Sequence, residues 1–508
     1  MNELLRNLKK QDNHVLTTNG ARTYKSTMTK VYDLFAQGAA MRGGQENDCI
    51  LMFKKAYDEN PEMALKCLFY LRDIRGGQGE RRFFRLCIKW LADVHPQEMI
   101  NLIKYVPEYG RYDDLFELFD TVLEDEMMGY IKYIIDKNED HLVYKWMPSI
   151  NTSSKNTQAR GRKFAHEFNM TEREYRKMLS EGRKACHLVE TLMSQNEWDQ
   201  IAFDKLPSRA GLLYSKAFAR REETKDRYEA FMNSKTTKVH ASTLYPYDVV
   251  NKALEVMRGT NGYPWGRVHE NKIDRQVANK YWDNLTDYFN GATLNALCVC
   301  DTSGSMTGGY YNMGIRPIDV AISIALYTAE RAKGPFYNHY ISFASRPQLI
   351  ETNGIDFCDK VDRIYRTNLC DNTNIEATFD LVLETALKNN LSQEDLPETL
   401  IIISDMQFDY ARTGSRYGIH SLMENIEARW NIAGYKMPKL IFWNVNAASG
   451  GGNFPMQDKD GITFVSGASP SIFTQIMTGK TGIQLMYDAL LNERYNTITS
   501  IYHTKNSF

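Results

Sequence analysis

Cys298-Val299-Cys300-Asp301-Thr302-Ser303-Gly304-Ser305-Met306 (CVCDTSGSM) is the stretch that decides how the second half of this chain folds. An apolar run, ATLNALCVCD (292–301), ends in a carboxylate, and two serines follow at alternate positions. The same grammar continues downstream through PIDVAISIALYTAERA, HYISF, a helix beginning near Asn374, TLIIISD, a helix near Ser421 to Trp430, PKLIFWNVN, GITFVS and SPSIFTQIM. Short runs apolar on both faces, separated by amphipathic helices, predict a mainly parallel sheet between helix layers. Ligands of such sheets sit at the carboxyl ends of the strands, and Asp301 falls at one of them.

A tight loop after that strand, helped by Gly304, can turn the carboxylate of Asp301 and the hydroxyls of Ser303 and Ser305 towards one point. Hard oxygen donors of this kind suit Mg2+, or Mn2+ in its place, rather than Zn2+. Further along, CDNTNIEATFDL puts Thr373 just before a helix, and TLIIISDMQFD puts Asp405 at the end of a second apolar strand. DxSGS, a later Thr-Asn and a later strand-end Asp, in that order, resemble the metal-ion-dependent adhesion site (MIDAS) of von Willebrand factor A (vWA) domains. The resemblance implies that residues 290–508 form a Rossmann-like vWA domain. It further implies that Ser303, Ser305 and Thr373 are direct ligands, that Asp301 and Asp405 act mainly through waters, and that an acidic group of a partner fills an open position on the metal. The nearby acids Asp371 and Asp409 read as solvated loop or helix-cap residues. Nothing beside the donors supplies a general base, a nucleophile or a second carboxylate-bridged ion, so binding rather than hydrolysis is expected and the protein is not expected to be an enzyme.

Residues 1–289 have a different period. Segments such as Cys49 to Tyr57, Pro61 to Arg72, Arg82 to Asp93, Pro96 to Tyr105 and Asp113 to Leu123 carry apolar residues at helical spacing, with Pro61, Gly76-Gly77, Pro96 and Gly110 between them. Serial hairpins of this length cannot each bury their own face, so they stack into a HEAT-like superhelix or ring. The fold class expected is therefore α plus α/β, with a connecting segment around residues 261–290.

Charge separates the two parts. Residues 1–289 carry 45 Lys and Arg against 41 Asp and Glu, and residues 290–508 carry 17 against 22, within a net charge of −1 for the 508-residue chain. Between 151 and 227 there are 16 basic and 11 acidic residues. The basic ones cluster as Arg160, Arg162 and Lys163; Arg173, Arg176 and Lys177; Arg183 and Lys184; and Arg220 and Arg221. Arg173, Arg176, Lys177 and Lys184 share one helical face and can follow a phosphate backbone, with Tyr175, His187 and Tyr214 as candidate stacking rings. The plainer reading is a solvated surface, since Glu172, Glu174 and Glu181 lie among them.

FYLRDIRGGQGERRFFR (69–85), VPEYGRYDDLFEL (106–118), KWMPSINTSSKNTQARGRKFA (145–165) and KLPSRAGLLYSKAFARR (205–221), followed by the vWA-like ending, resemble in their order the Ro ribonucleoprotein family. Its TROVE module is a ring of HEAT-like helices closed by a vWA domain, and it has relatives known only as a domain of unknown function. The resemblance implies RNA as partner, single-stranded ends through the ring and small structured RNA on a basic outer face. The competing expectation is a protein-interaction adaptor whose metal site captures an acidic partner residue. Arg72, Arg75, Arg81, Arg82 and Arg85, and also Lys145 and Arg209, read equally well as residues that pair with acids to hold the helices together.

The N-terminal MNELLRNLKKQDN lacks the apolar core of a signal peptide, and no run approaches a membrane span. Eight scattered cysteines without a CxxC, and ten histidines without an HExxH, point to structural thiols in a reducing cytosol and away from zinc. A monomeric cytoplasmic protein is expected, cellular or belonging to a virus or phage in its host.

Overall fold

A computed structural model describes residues 13–258, 272–308, 315–343, 346–367, 374–408, 422–447 and 453–502. It begins with an element absent from the helical reading, an antiparallel hairpin of β1 (His14–Leu16) and β2 (Arg22–Tyr24). Gly20 closes its turn at φ +88°, a conformation that costs glycine little.

Helices follow from Lys30–Gln37 to Lys272–Asp283. Their boundaries come from local chemistry. Pro61 opens the helix Pro61–Arg72, where its missing N–H is no loss, and the Asn60 side chain caps it by accepting from the Met63 amide at 3.1 Å. Helix Arg81–Val94 turns Phe83, Phe84, Cys87, Ile88, Leu91 and Ala92 inward. The turn between these two helices needs glycine: a Cβ on Gly77 would lie 1.9 Å from the Tyr70 carbonyl oxygen, and one on Gly79, at φ +62°, would lie 1.8 Å from the Tyr245 hydroxyl.

The segment expected as a helix over 113–123 is instead a 3-10 turn, Tyr112–Leu118. Its geometry is set by Asp114, fully buried, whose carboxylate accepts from the Arg111 amide, Arg72 Nε and Arg85 Nε at 3.0, 2.8 and 2.6 Å. Arg72 and Arg85 are thus framework residues. So is Arg82, which donates to the Gly44 carbonyl at 2.8 Å.

The C-terminal half is a six-stranded sheet in the order β5-β4-β3-β6-β7-β8. Its strands are β3 (Ala296–Asp301), β4 (His339–Phe343), β5 (Gln348–Glu351), β6 (Thr399–Ser404), β7 (Lys439–Asn444) and β8 (Ile462–Ser466). All neighbours run parallel except β5, an antiparallel edge strand that hydropathy did not announce because most of its residues are exposed. The chain is α plus α/β, as its two periodicities predict.

The two halves interlock rather than sit in series. Tyr24 pairs with Phe454, and the Phe464 amide donates to the Tyr32 hydroxyl at 3.0 Å, so the first elements of the chain cover the β8 side of the sheet. At the other end, Arg494 forms a two-pronged ion pair with Asp73, the Tyr495 hydroxyl donates to Asp73 at 3.0 Å, and Ser500 and the Ile501 amide donate to Glu98 at 2.7 and 3.1 Å. The last helices of the array dock on the sheet's helical layer through Arg275 and Asp356, two bonds of 2.8 Å, and through Trp282 stacked on Phe357 with ring centroids 4.1 Å apart. The Tyr245 hydroxyl donates to the Gln78 carbonyl at 2.8 Å and brings the end of the helical run back to its beginning. Among the described residues no helix is long and apolar enough to cross a membrane, and the seven described cysteines form no disulfide with one another.

Candidate functional site

Strand β3 is buried along its whole length and lies between β4 and β6. It delivers Asp301 to the carboxyl rim of the sheet beside Asp405, which follows β6. Both carboxyls are almost fully buried. Asp301 accepts from the Ser303 amide at 2.9 Å and from the Ser404 hydroxyl at 2.6 Å. The Ser303 and Ser305 hydroxyls stand 3.1 Å apart. Asp405 accepts from the Gln407 amide at 3.1 Å, and the Ser305 hydroxyl on its side of the rim favours its ionised form. Four of the five expected donors therefore meet at one point, Asp301, Ser303, Ser305 and Asp405. Thr373 lies outside the described residues, as do Asp371 and Asp409. Its neighbour Asn374 is at the place expected, capping the helix Ile375–Lys388 by accepting from the Ala377 amide at 3.1 Å.

Burial lifts the Asp301 carboxyl to about 7, and the charge on Asp405 adds to the lift, against hydrogen bonds from Ser404 and Ser303 that favour the ionised form. Burial raises Asp405 as well. Among the described residues neither carboxyl has a Lys or Arg partner. Two buried acids with adjacent hydroxyls and no basic counterion make a donor set that a hard divalent cation fits, because the cation would supply the missing positive charge. No three His, Cys, Asp or Glu side chains gather as a metal group among the described residues, so a cation held here would need hydroxyl oxygens beside the two carboxylates.

Two residues have roles different from those the sequence suggested. Gly304 has no positive φ, and a Cβ there would meet nothing within 4 Å, so the turn Gly304–Thr307 does not require glycine. Ser404, which drew no attention, holds Asp301 and accepts from the Met406 amide at 3.0 Å. The only trace of it in sequence is its place next to Asp405.

The second candidate is the helix Glu172–Ala185, started by a capping box of Thr171 and Glu174. Tyr175, Leu179 and Gly182 are buried, and Arg173, Arg176, Lys177 and Lys184 are exposed on the opposite side. Arg176 Nε donates to the Glu172 carbonyl at 3.2 Å, and Lys177 lies 3.8 Å from Glu181. Arg162 is exposed and pairs with Glu172 at 2.9 Å; Arg220 and Arg221 are exposed too, Arg221 lying 4.8 Å over the Trp198 ring.

The remaining basic candidates serve packing. Arg183 turns inward and donates to the Tyr144 and Met147 carbonyls and to Ser149 at 3.0, 2.8 and 3.0 Å. Lys163 bridges Asp120 and Glu124 at 2.9 and 2.7 Å, and Arg160, half-buried, lies 5.0 Å over the Phe119 ring. Among the rings, Tyr175 is core and donates to the Pro148 carbonyl at 3.0 Å, Tyr214 is half-buried against Glu190, and His187 is exposed. Lys145 lies 3.6 Å from Glu190, and Arg209 pairs with Asp248 at 3.1 Å.

The model of a domain of unknown function, DUF2828, matches residues 17–163 and 141–292, and that of a second, DUF7788, matches residues 295–498. An uncharacterized protein of Acanthamoeba polyphaga mimivirus is 26% identical over 517 aligned residues, covering 91% of this chain and 84% of that protein. The crystal structure of the Deinococcus radiodurans RO (RSR) protein is similar with a TM-score of 0.46 at 12% identity, over 92% of this chain and 100% of that one.

Proposed function

The chain belongs to the DUF2828 family, a domain of unknown function, and we propose from its own exposed cations and buried acids that it is an RNA-binding protein with a cation-dependent second contact. The observation that carries the RNA reading is the exposed arc of Arg173, Arg176, Lys177 and Lys184, four cations on one helix face with few close carboxylate partners. A stripe of this kind tracks phosphates without reading bases. The ligand is RNA with single-stranded ends, small and noncoding or misfolded, held on the helical array. The rim of Asp301, Ser303, Ser305 and Asp405, completed by Thr373, would hold Mg2+ or Mn2+ and leave a coordination position for an acidic group of a partner protein. The work is binding, not catalysis, and is carried out by a monomer in a reducing cytosol, the setting that suits unpaired cysteines.

The test is equilibrium binding of a labelled single-stranded RNA across 50–200 mM salt, by wild type and by Arg173→Glu/Arg176→Glu/Lys177→Glu. Affinity should drop at least about tenfold at low salt, and the slope of log affinity against log salt should become shallower by roughly 2 for three lost phosphate contacts. Unchanged affinity and slope would sink this face as the RNA contact.

The buried acid pair favours one further reading, an adaptor that uses the cation to capture protein. Capture of a partner abolished both by a chelator and by Asp301→Ala, with no RNA recovered by crosslinking in the native cell, would select it.

A further inference from the structure

We infer that the turn between β1 and β2 is a structural part of the cation centre, with Thr17, Thr18 and Asn19 acting as positioning residues for Asp405. The inference rests on the cation reading proposed above. The loop after β6 reverses through Met406 at φ +60°, a region that a side chain of this kind rarely adopts and that persists only when its surroundings over-determine it. Part of that determination comes from within the rim, where the Met406 amide donates to Ser404 and the Gln407 amide to Asp405. The rest comes from a segment nearly 400 residues away. The Thr17 hydroxyl donates to the Phe408 carbonyl at 2.8 Å, the Thr18 amide donates to Gln407 Oε1 at 2.8 Å, and the Asn19 side-chain amide donates to the Gln407 carbonyl at 2.6 Å.

The hairpin is itself well fixed. Thr17 is buried and its hydroxyl also accepts from the Ala21 amide at 2.9 Å, while Thr23 and Tyr24 anchor β2 to Phe454. Three bonds thus clamp the two residues that follow Asp405 and Met406 to a rigid support. The Gln407 amide bonds Asp405 directly, and loss of a group bonded to a metal ligand typically weakens metal binding by about 10–100-fold; the turn acts one step further out, by holding Gln407.

The experiment uses the full chain and Mn2+ alone, titrated with the paramagnetic signal of free Mn2+ as readout. Thr17→Val/Asn19→Ala should bind on the order of tenfold more weakly than wild type, with the metal-free melting temperature recorded to separate loss of fold from loss of positioning. Thr17→Ser, which keeps the hydroxyl, should bind like wild type. Wild type that takes up no Mn2+ would remove the cation centre, and this inference with it. Wild type that binds while the double variant binds equally well would overturn this inference and leave the centre standing. If the double variant fails to fold, hydrogen exchange in the wild type decides: Mn2+ should slow exchange of the Thr18 amide at least several-fold, and an unchanged rate overturns the role of the turn.

Discussion

Asp458 faces Asp33 and Asp460, and burial together with these two like charges lifts its carboxyl to about 6. Asp33 has its own donors, Ser26 and the Thr27 amide at 2.5 and 2.7 Å, with Lys30 at 3.3 Å, so Asp458 carries the strain of the cluster. A carboxyl whose folded value lies above its unfolded one binds more protons folded than unfolded between the two. Its contribution is complete below pH 4 and is lost as pH rises through 6. Asp458→Asn should therefore raise the melting temperature at pH 7.5 and leave it nearly unchanged near pH 3.5, with an intermediate gain at pH 4.5, as calorimetry across these values would show. At this scale the cluster of oxygen side chains was legible because a strand-end Asp and alternate serines are spelled in a row, and the structure places Asp301, Ser303, Ser305 and Asp405 at one rim of the sheet. Arg183, Lys163 and Tyr175 were not, since spacing along a helix says which residues share a side but not which side meets the neighbouring helix.

Between elements, Asp114 is the knot. It is fully buried, and Arg72, itself only 5% exposed, reaches it at 2.6 Å, with Arg85 on its other oxygen. Removing one member of such a cluster leaves a buried charge without a partner, which costs about 3–5 kcal/mol. Asp114→Ala should lose that much in denaturant unfolding, while Asp113→Ala, whose partners are nearer solvent, should lose under about 1 kcal/mol. Long helices were easy to place from their apolar period, and Pro61–Arg72 coincides with the expected span. The 3-10 turn over Tyr112–Leu118 was hidden because its shape follows from Arg72 and Arg85 arriving from other helices. The opening hairpin could have been read: Thr17-Thr18-Asn19-Gly20 between HVL and RTY is an Asn-Gly turn between two short β-prone runs. Strand β5 offered no such cue.

Across the whole molecule, contacts far apart in sequence hold the ends in place. Asp73 is 1% exposed and Arg494 30% exposed, so Arg494→Met should cost about 1–3 kcal/mol, less than a fully buried pair would. It should also speed proteolysis within 491–502, followed by mass spectrometry of the fragments; an unchanged cleavage rate would show that the tail is held without Arg494, by Glu98, by the Tyr495 bond to Asp73 and by the Tyr109 hydroxyl, which donates to the Arg494 carbonyl. The change of apolar period foretold two architectures in one chain. It could not foretell their interlock, because burial of β8 by Tyr32 or of Asp73 by Tyr495 leaves no mark in local periodicity.

The pairing of Tyr24 with Phe454 also sets a schedule. During synthesis the first hairpin leaves the ribosome some 430 residues before Phe454, the residue it must meet, which at about 5–20 residues per second amounts to roughly 20–90 s. Through that interval β2 presents an open edge with β-branched and aromatic side chains, the kind of surface that recruits chaperones or other nascent chains. Circular permutants that bring the hairpin closer in sequence to residue 454 would shorten the wait while keeping the pairing of Tyr24 with Phe454.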